Sequence, residues 1–212
     1  MTRNTKVLAG ASLALALGVA GQLGLYHHQA PSSTTVHASW IFKPTSIRQL
    51  QARANSIALV KVLSTQAGPD IVTRQPGEPS GEDRIPTRRV NVEVLKSYKG
   101  SGVGQRLTLF QTGGTVKSPP PPAQGTKGQE VPDSKVQQVI LSGDPLYRAG
   151  EQYLVMLEAG PQGTLRTVSP EGRYRYDARS GALTPMVKNT VTTRVSSTSL
   201  SAMAPVLRGQ VS

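Results

Sequence analysis

Short runs in which apolar residues alternate with polar ones constrain the fold of this chain more than any other feature. In the run "RRVNVEVLKSYKG", Val90, Val92 and Val94 occupy every second position, which is the period of a half-buried strand. Further strands are predicted at residues 56–64, 106–111, 136–141, 152–158, 165–168 and 173–176. About seven short strands with glycine-rich turns predict a mainly β fold, a small closed or nearly closed barrel.

One short helix is predicted before these strands. Ser46 is a candidate N-cap with Gln49 three positions later, and Ile47, Leu50 and Ala54 follow at helical spacing. The pattern predicts a helix from Ile47 to Ala54. The chain has the length of one domain and contains no internal repeat, so a single domain is expected.

Two long insertions, Ala67–Thr87 and Gly113–Ser134, interrupt the series of strands. Loops of this length are either functional or disordered. The second insertion begins with Gly113 and Gly114 and continues into Pro119–Pro122, which favours a polyproline II spacer. Prolines offer no N–H groups and prevent a helix, so this glycine pair is not a phosphate loop. It is expected to end a strand as a hinge, with one glycine at positive φ.

The beginning of the chain resembles an export signal. Arg3 and Lys6 precede an uncharged apolar segment, Val7–Leu25, which is either a cleaved signal peptide or an N-terminal membrane anchor. The predicted organisation is residues 1–25 as that segment, 26–40 as a stalk, 41–188 as the barrel and 189–212 as a C-terminal tail. The barrel is therefore expected outside the cytoplasm, with membrane contact only through the N-terminal segment.

Charge and the absence of cysteine narrow the classes of partner. Beyond residue 25, 22 basic residues face 12 acidic ones, a net charge of +10 that favours anionic surfaces and also promotes solubility. The sequence contains no cysteine, which excludes disulfides and thiolate metal sites. Neither a metal nor a cofactor is expected, and export makes nucleic acid an improbable partner.

Catalytic chemistry is limited because all three histidines, His27, His28 and His37, lie in the predicted stalk. The barrel therefore lacks a histidine for a serine triad or a general base. Paired carboxylates remain an alternative, as in a hydrolase. The candidates are Glu93, Asp144, Glu151 and Glu158. A non-enzymatic domain is the preferred interpretation.

The segment "EGRYRYD", residues 171–177, is the first binding candidate. In a strand, Arg173 and Arg175 share one face, and Tyr174 and Tyr176 share the other. The tyrosines could stack on sugars or bases while the arginines bind phosphate or carboxylate. The alternative is two core tyrosines backed by two solvated arginines.

A basic hairpin is the second binding candidate. Lys96, Lys99 and Arg106 flank the turn between two predicted strands, with no acidic residue in the sequence between them. If the strands form a hairpin, these charges gather on one surface that an anionic polymer could contact. A solvated turn that serves solubility is the alternative.

Several motifs together resemble a widespread set of uncharacterised exported bacterial proteins. The chain has "VNVEVLKSYKG", "QTGG", "GEQYLVMLE" and "EGRYRYD", in that order. Such domains are similar to the netrin-like, OB-type barrels of tissue inhibitors of metalloproteinases. The resemblance implies an OB-like β-barrel over roughly residues 46–183. It transfers no inhibitory mechanism, because those inhibitors act through an N-terminal cysteine that this chain lacks.

The sequence thus favours an exported, envelope-associated binding domain whose ligand is either an anionic cell-envelope polymer or another envelope protein. A carboxylate-dependent hydrolase and a passive structural or assembly module are the alternatives.

Overall fold

The computed structural model describes residues 32–36, 42–74, 82–117, 136–141, 143–193, 195 and 198–209. The strands are β1 (Ser32–Val36), β2 (Ser56–Ala67), β3 (Ile71–Arg74), β4 (Glu82–Ile85), β5 (Thr87–Lys99), β6 (Arg106–Thr112), β7 (Gly114–Lys117), β8 (Val136–Leu141), β9 (Gln152–Ala159), β10 (Leu165–Thr167), β11 (Arg173–Tyr176) and β12 (Leu183–Pro185). The helices are α1 (Ile47–Arg53), α2 (Thr190–Thr193) and α3 (Leu200–Leu207). Single 3-10 turns occupy Pro161–Gly163 and Pro170–Gly172.

Five of these strands close into a barrel. β2 pairs antiparallel with both β5 and β9, and β5 pairs antiparallel with β6. The ring closes because β10 lies parallel to β6 on one side and antiparallel to β9 on the other. β11 and β12 extend the sheet beyond β9. The prediction of a mainly β protein with a small closed barrel is confirmed.

Alternation along β9 separates two hydrophobic cores. Tyr153, Val155 and Leu157 point into the barrel, whereas Leu154 and Met156 point to the other face. All five side chains are at most 1% exposed. The predicted division of this strand into two faces is confirmed, and both faces are buried.

The inner core fills the barrel with side chains from every strand of the ring, β10 contributing through the partly buried Leu165. Its buried members are Ala58, Val60, Val62, Val90, Val92, Val94, Leu109, Tyr147, Tyr153, Val155 and Leu157. Small β-branched residues dominate, which suits a narrow barrel interior. Stability thus comes from side-chain packing in a chain without disulfides.

The outer core lies between the sheet and the helices. α1 begins as predicted, with the Ser46 side chain accepting a hydrogen bond from the backbone N–H of Gln49 at 3.3 Å. It packs Leu50 against the sheet, and α3 adds Leu200, Met203 and Leu207 to the same cluster. The segment predicted as a C-terminal tail, residues 189–212, therefore contributes two helices to the core. The sequence carries the signal for α3, since Leu200, Met203 and Leu207 follow Ser199, the N-cap, at helical spacing.

Two small sheets stand apart from the ring. β8 pairs in parallel with β1 and antiparallel with β7, so the predicted strand at residues 136–141 forms outside the barrel. β1 arises within the predicted stalk. β3 and β4 form a hairpin inside the first insertion. Residues 75–81 and 118–135, which include the predicted polyproline segment, lie outside the described residues.

Gly113 makes the hinge between β6 and β7. Its φ is 101°, which confirms the predicted positive φ at this glycine pair. A Cβ at this position would lie 2.8 Å from the carbonyl oxygen of Val139, so a side chain would clash with β8. Its N–H donates to the carbonyl of Pro86 at 2.8 Å. The chain can therefore leave the barrel here only through glycine.

Replacing Leu154 by alanine is expected to lower the free energy of unfolding by about 2–5 kcal/mol, because it leaves a cavity in the outer core. The matched control is Leu95→Ala on β5, because Leu95 is 36% exposed. Its free energy of unfolding should fall by about 0.5 kcal/mol. Chemical denaturation followed by circular dichroism measures both changes. Equal losses at the two positions would contradict the burial described for β9.

Candidate functional site

Arg173 is a fully buried charged residue. It begins β11 and is 0% exposed, with its guanidinium turned towards the inner core. Its Nη2 lies 3.0 Å from Asp144 Oδ1, and the Asp144 side chain is 5% exposed. The guanidinium carbon lies 4.2 Å from the ring centroid of Tyr147 and 5.7 Å from that of Tyr153. A buried cation is thus held by one carboxylate and two aromatic rings.

The segment that follows β8 is tied to the barrel by the same group of residues. Arg173 Nη2 and Gln111 Nε2 both donate to the carbonyl of Pro145, the latter at 3.1 Å. Gln111 Oε1 in turn accepts from the backbone N–H of Tyr147 at 3.1 Å. Residues 144–147 are therefore fixed across one end of the barrel.

Burial dominates the electrostatics of this cluster. It raises the pKa of Asp144 above its ordinary value of 3.8, while Arg173 and Gln111 oppose that rise. It also raises the pKa of Tyr147 to about 12. Burial acts to lower the pKa of Arg173, but Asp144 and the tyrosines more than offset it. Burial raises the pKa of Tyr153 as well. Arg173 therefore stays protonated, and Tyr147 and Tyr153 stay neutral, at ordinary pH.

The four predicted residues of "EGRYRYD" have different environments. The alternation of faces is as expected, since Arg173 contacts inner-core tyrosines and Tyr174 belongs to the outer core. Arg173 and Tyr174 are both 0% exposed, so neither side chain reaches the surface. Tyr176 is half-buried against the outer core, and Arg175 is exposed. Arg175 is the one charged residue of the four that is exposed.

The predicted basic hairpin forms between β5 and β6, and its three cations are exposed. Lys99 Nζ donates to the carbonyl of Gln51 at 3.0 Å, and Lys96 Nζ lies 5.6 Å from the ring centroid of Tyr98. Arg106 stands opposite Glu93 in the strand register. Each cation thus lies against a different neighbour, although all three occupy the same hairpin.

Three of the four carboxylates considered for hydrolysis have separate partners. Glu158 accepts from Arg53 at 2.6 Å and pairs with Arg166 at 2.9 Å. Glu151 accepts a hydrogen bond from the Tyr153 hydroxyl, and Asp144 pairs with Arg173. Across the described residues, no three His, Cys, Asp or Glu side chains gather as metal ligands would.

A groove of about 570 Å³ runs along the outer wall of the barrel. This outer groove is bordered by the segment after β2 (Pro69, Asp70, Ile71), by Phe110 and Thr112 on β6, by residues 159–162 and by Arg166. Ile71 is 36% exposed and Phe110 half-buried, so apolar surface lines one wall. Phe110 was not among the predicted site residues, although its position directly after the inward-facing Leu109 places its side chain outside the barrel.

One residue of the outer groove has an unusual backbone. Gln162 lies in the turn after β9 with φ 52° and ψ 39°, the left-handed region that non-glycine residues seldom adopt. Its side-chain oxygen accepts from Arg89 Nη2 of β5 at 3.0 Å. This bond holds the turn against the wall of the barrel and keeps the groove bordered on that side.

Arg173→Met is expected to lower the free energy of unfolding by about 3–5 kcal/mol, because it leaves the Asp144 carboxylate buried without its partner. The double variant Arg173→Met/Asp144→Leu should regain much of this loss. Arg175→Met, on the exposed side of the same strand end, is the control and should change stability by about 0.5 kcal/mol or less. If the double variant lost as much stability as Arg173→Met and Asp144→Leu lose together as single variants, the pairing would be contradicted.

The loss in Arg173→Met should also depend on pH. Without the guanidinium, burial raises the pKa of Asp144 further, so the folded state binds a proton more tightly than the unfolded state. The difference in stability between the parent and Arg173→Met should therefore be smallest as the pH falls towards 3.8. It should widen as the pH rises from the folded-state pKa of Asp144 in the parent to the higher one in the variant. Urea denaturation across this range measures it, and a constant difference would contradict the buried carboxylate.

Comparison of the chain with protein-family models, with curated proteins and with solved structures finds no match. The resemblance to netrin-like and inhibitor barrels accordingly stays a prediction. The interpretation of the site rests on the geometry of the described residues.

Proposed function

We propose that the protein is an OB-like binding domain. The ring order β2-β5-β6-β10-β9 has its one parallel contact between the third and fifth barrel strands, which is the order of OB barrels. β2 is 12 residues long and pairs with strands on both sides, as the first strand of such barrels does. These features support the OB-like assignment within the closed barrel.

The outer groove carries the proposal of a binding function. OB barrels bind ligands on their second and third strands, between the first-to-second and fourth-to-fifth loops. Here those elements are β5, β6, the segment that follows β2 and the turn between β9 and β10. All but β5 contribute residues to the lining of the outer groove. β5 contacts it through Arg89, which donates to Gln162. The left-handed Gln162 adds support, because backbone strain concentrates at binding sites.

A segment of another envelope protein is the ligand that this groove favours. Ile71, Phe110 and the prolines at 69 and 161 give it apolar walls, while Asp70 and Arg166 provide one charge of each sign. Such a mixed surface suits a protein segment better than a uniformly charged polymer. The envelope location follows from the export-signal resemblance of residues 1–25. Among the helices that the structure describes, none is long and apolar enough to cross a membrane.

An anionic envelope polymer is the second candidate ligand, and the basic hairpin favours it. Lys96, Lys99 and Arg106 are exposed on one hairpin of a chain whose formal net charge is +12. A carboxylate-dependent hydrolase is less favoured, because Glu158, Glu151 and Asp144 are each engaged by a different partner. A passive structural or assembly module is a further alternative that is not an enzyme. It would bind no ligand at the groove or at the hairpin.

Ile71→Asp is expected to weaken capture of the partner by about tenfold or more, because it places an uncompensated carboxylate on the apolar wall of the outer groove. The measurement compares envelope proteins retained by immobilised parent and variant domains. Val103→Asp is the matched control, since Val103 is 70% exposed on the β5–β6 turn. Identical retention by the parent, Ile71→Asp and Val103→Asp would refute the groove as the binding face.

Changing Lys96, Lys99 and Arg106 together to glutamate should abolish retention on isolated cell envelopes at low salt, if the hairpin binds an anionic polymer. The difference from the parent should fade as salt rises, because the Debye length falls to about 10 Å at 0.1 M. The control carries three glutamates at Arg48, Arg179 and Lys188, which are exposed outside the hairpin. Equal retention of the two triple variants would assign the effect to net charge alone.

A further inference from the structure

We propose that a second pocket, at one mouth of the barrel, binds the oxyanion of a small hydroxylated organic ligand such as an acidic sugar unit. This mouth pocket has a volume of about 470 Å³. Arg88, Arg148 and Arg175 line it together with Glu151, Tyr147 and Tyr153. It shares no lining residue with the outer groove, so the two sites are independent.

The strand pattern explains why arginines surround this opening. Arg88 precedes Val90 and Val92 on β5 with the same alternation, so it points along the inner face of the barrel where the ring of apolar residues ends. Arg175 follows the inward-facing Arg173 by two positions on β11. Two strands thus deliver guanidinium groups to the same end of the barrel.

The charges of the mouth pocket are not balanced. Three arginines face one carboxylate, Glu151, and that carboxylate already accepts a hydrogen bond from the Tyr153 hydroxyl. Arg148 and Arg175 are exposed and make no ion pair with any residue of the described part of the chain. Arg88 Nη2 donates to Thr65 Oγ1 at 2.6 Å, a neutral acceptor. An oxyanion would supply the missing negative charge.

The partial burial of Arg88 also indicates that the mouth pocket lacks negative charge. It lowers the pKa of this guanidinium from its ordinary value of 12.5, because a charge is removed from water without a carboxylate beside it. A bound anion would offset that desolvation.

Two aromatic rings form part of the lining of the mouth pocket. The Tyr147 ring packs edge-on against Tyr153, with ring centroids 5.0 Å apart. The Tyr147 hydroxyl is fully buried and turned towards the adjacent Arg173, which does not line the pocket. The tyrosines therefore present ring surface, and not a hydroxyl from Tyr147, to a ligand in the pocket.

The lining also determines the kind of ligand. Arginines bind carboxylate or phosphate through paired N–H groups. The tyrosine rings and Met186 offer apolar contact to a carbon skeleton, while Glu151 can accept hydrogen bonds from hydroxyl groups. A ring that carries hydroxyls and one acidic group matches all three features.

Isothermal titration of the full chain with three probes at constant ionic strength tests the proposal. Glucose 6-phosphate carries the phosphate, glucuronate the carboxylate, and glucose neither. Binding of one or both charged sugars, with none for glucose, is the expected result, and the tighter probe identifies the preferred oxyanion. The proposal is overturned if neither charged sugar binds more tightly than glucose.

Variants locate the site. Arg148→Gln and Arg175→Gln should each weaken binding of the tighter probe by about tenfold or more, since each removes a charge-assisted hydrogen bond. Arg48→Gln, an exposed arginine on α1, removes the same charge elsewhere and should leave binding unchanged. Thermal unfolding verifies that all variants fold. Equal affinities for the three variants would overturn the assignment. Ile71→Asp should bind the probes like the parent, which separates this test from that of the outer groove.

Discussion

The buried contact between Arg173 and Asp144 is the interaction on which the arrangement of the barrel end depends. Removing two charges from water offsets most of their attraction, so such a pair adds little net stability compared with apolar side chains. Separating the partners is costly, however, because each would stay buried alone. A slip of β11 by one residue would turn Arg173 into the outer core and Tyr174 into the barrel. The ion pair therefore selects one register of β11 against β9.

That register has consequences for both proposed sites. With Arg173 inside, Tyr147 and Pro145 are held across the barrel end, and Arg175 reaches the rim of the mouth pocket. The outer groove depends instead on the turn after β9, which Arg89 fixes through Gln162. Arg88 and Arg89 are neighbours on β5, yet they serve opposite faces of the barrel wall. One strand thus supports a charged site and a largely apolar one.

The sequence predicted those features of the fold that depend on residues close together in the chain. The alternation in β5 and β9 and the cap at Ser46 were readable because each depends on side chains a few positions apart. The burial of Arg173 was not, since its partner Asp144 is distant in sequence and an arginine in a strand is ordinarily solvated. β8 was recognised as a strand but joins β1 outside the ring, because pairing partners follow from tertiary packing. The mouth pocket could have been predicted only in part. Arg88 alternates with the inward-facing Val90 and Val92 on β5, which places it on the inner face of the barrel.

The pairing of β2 with β9 affects the rate at which the protein folds. Ile57 lies opposite Met156, so the ring cannot close until nearly the whole barrel sequence is present. Contacts between such distant segments slow folding, because the entropy of loop closure is lost before the contacts form. During synthesis from the N-terminus, β2 and β5 can form a hairpin early, yet one edge of β2 stays without its neighbour. The same strand that joins the two cores in the finished protein leaves an apolar edge open to other chains until β9 arrives.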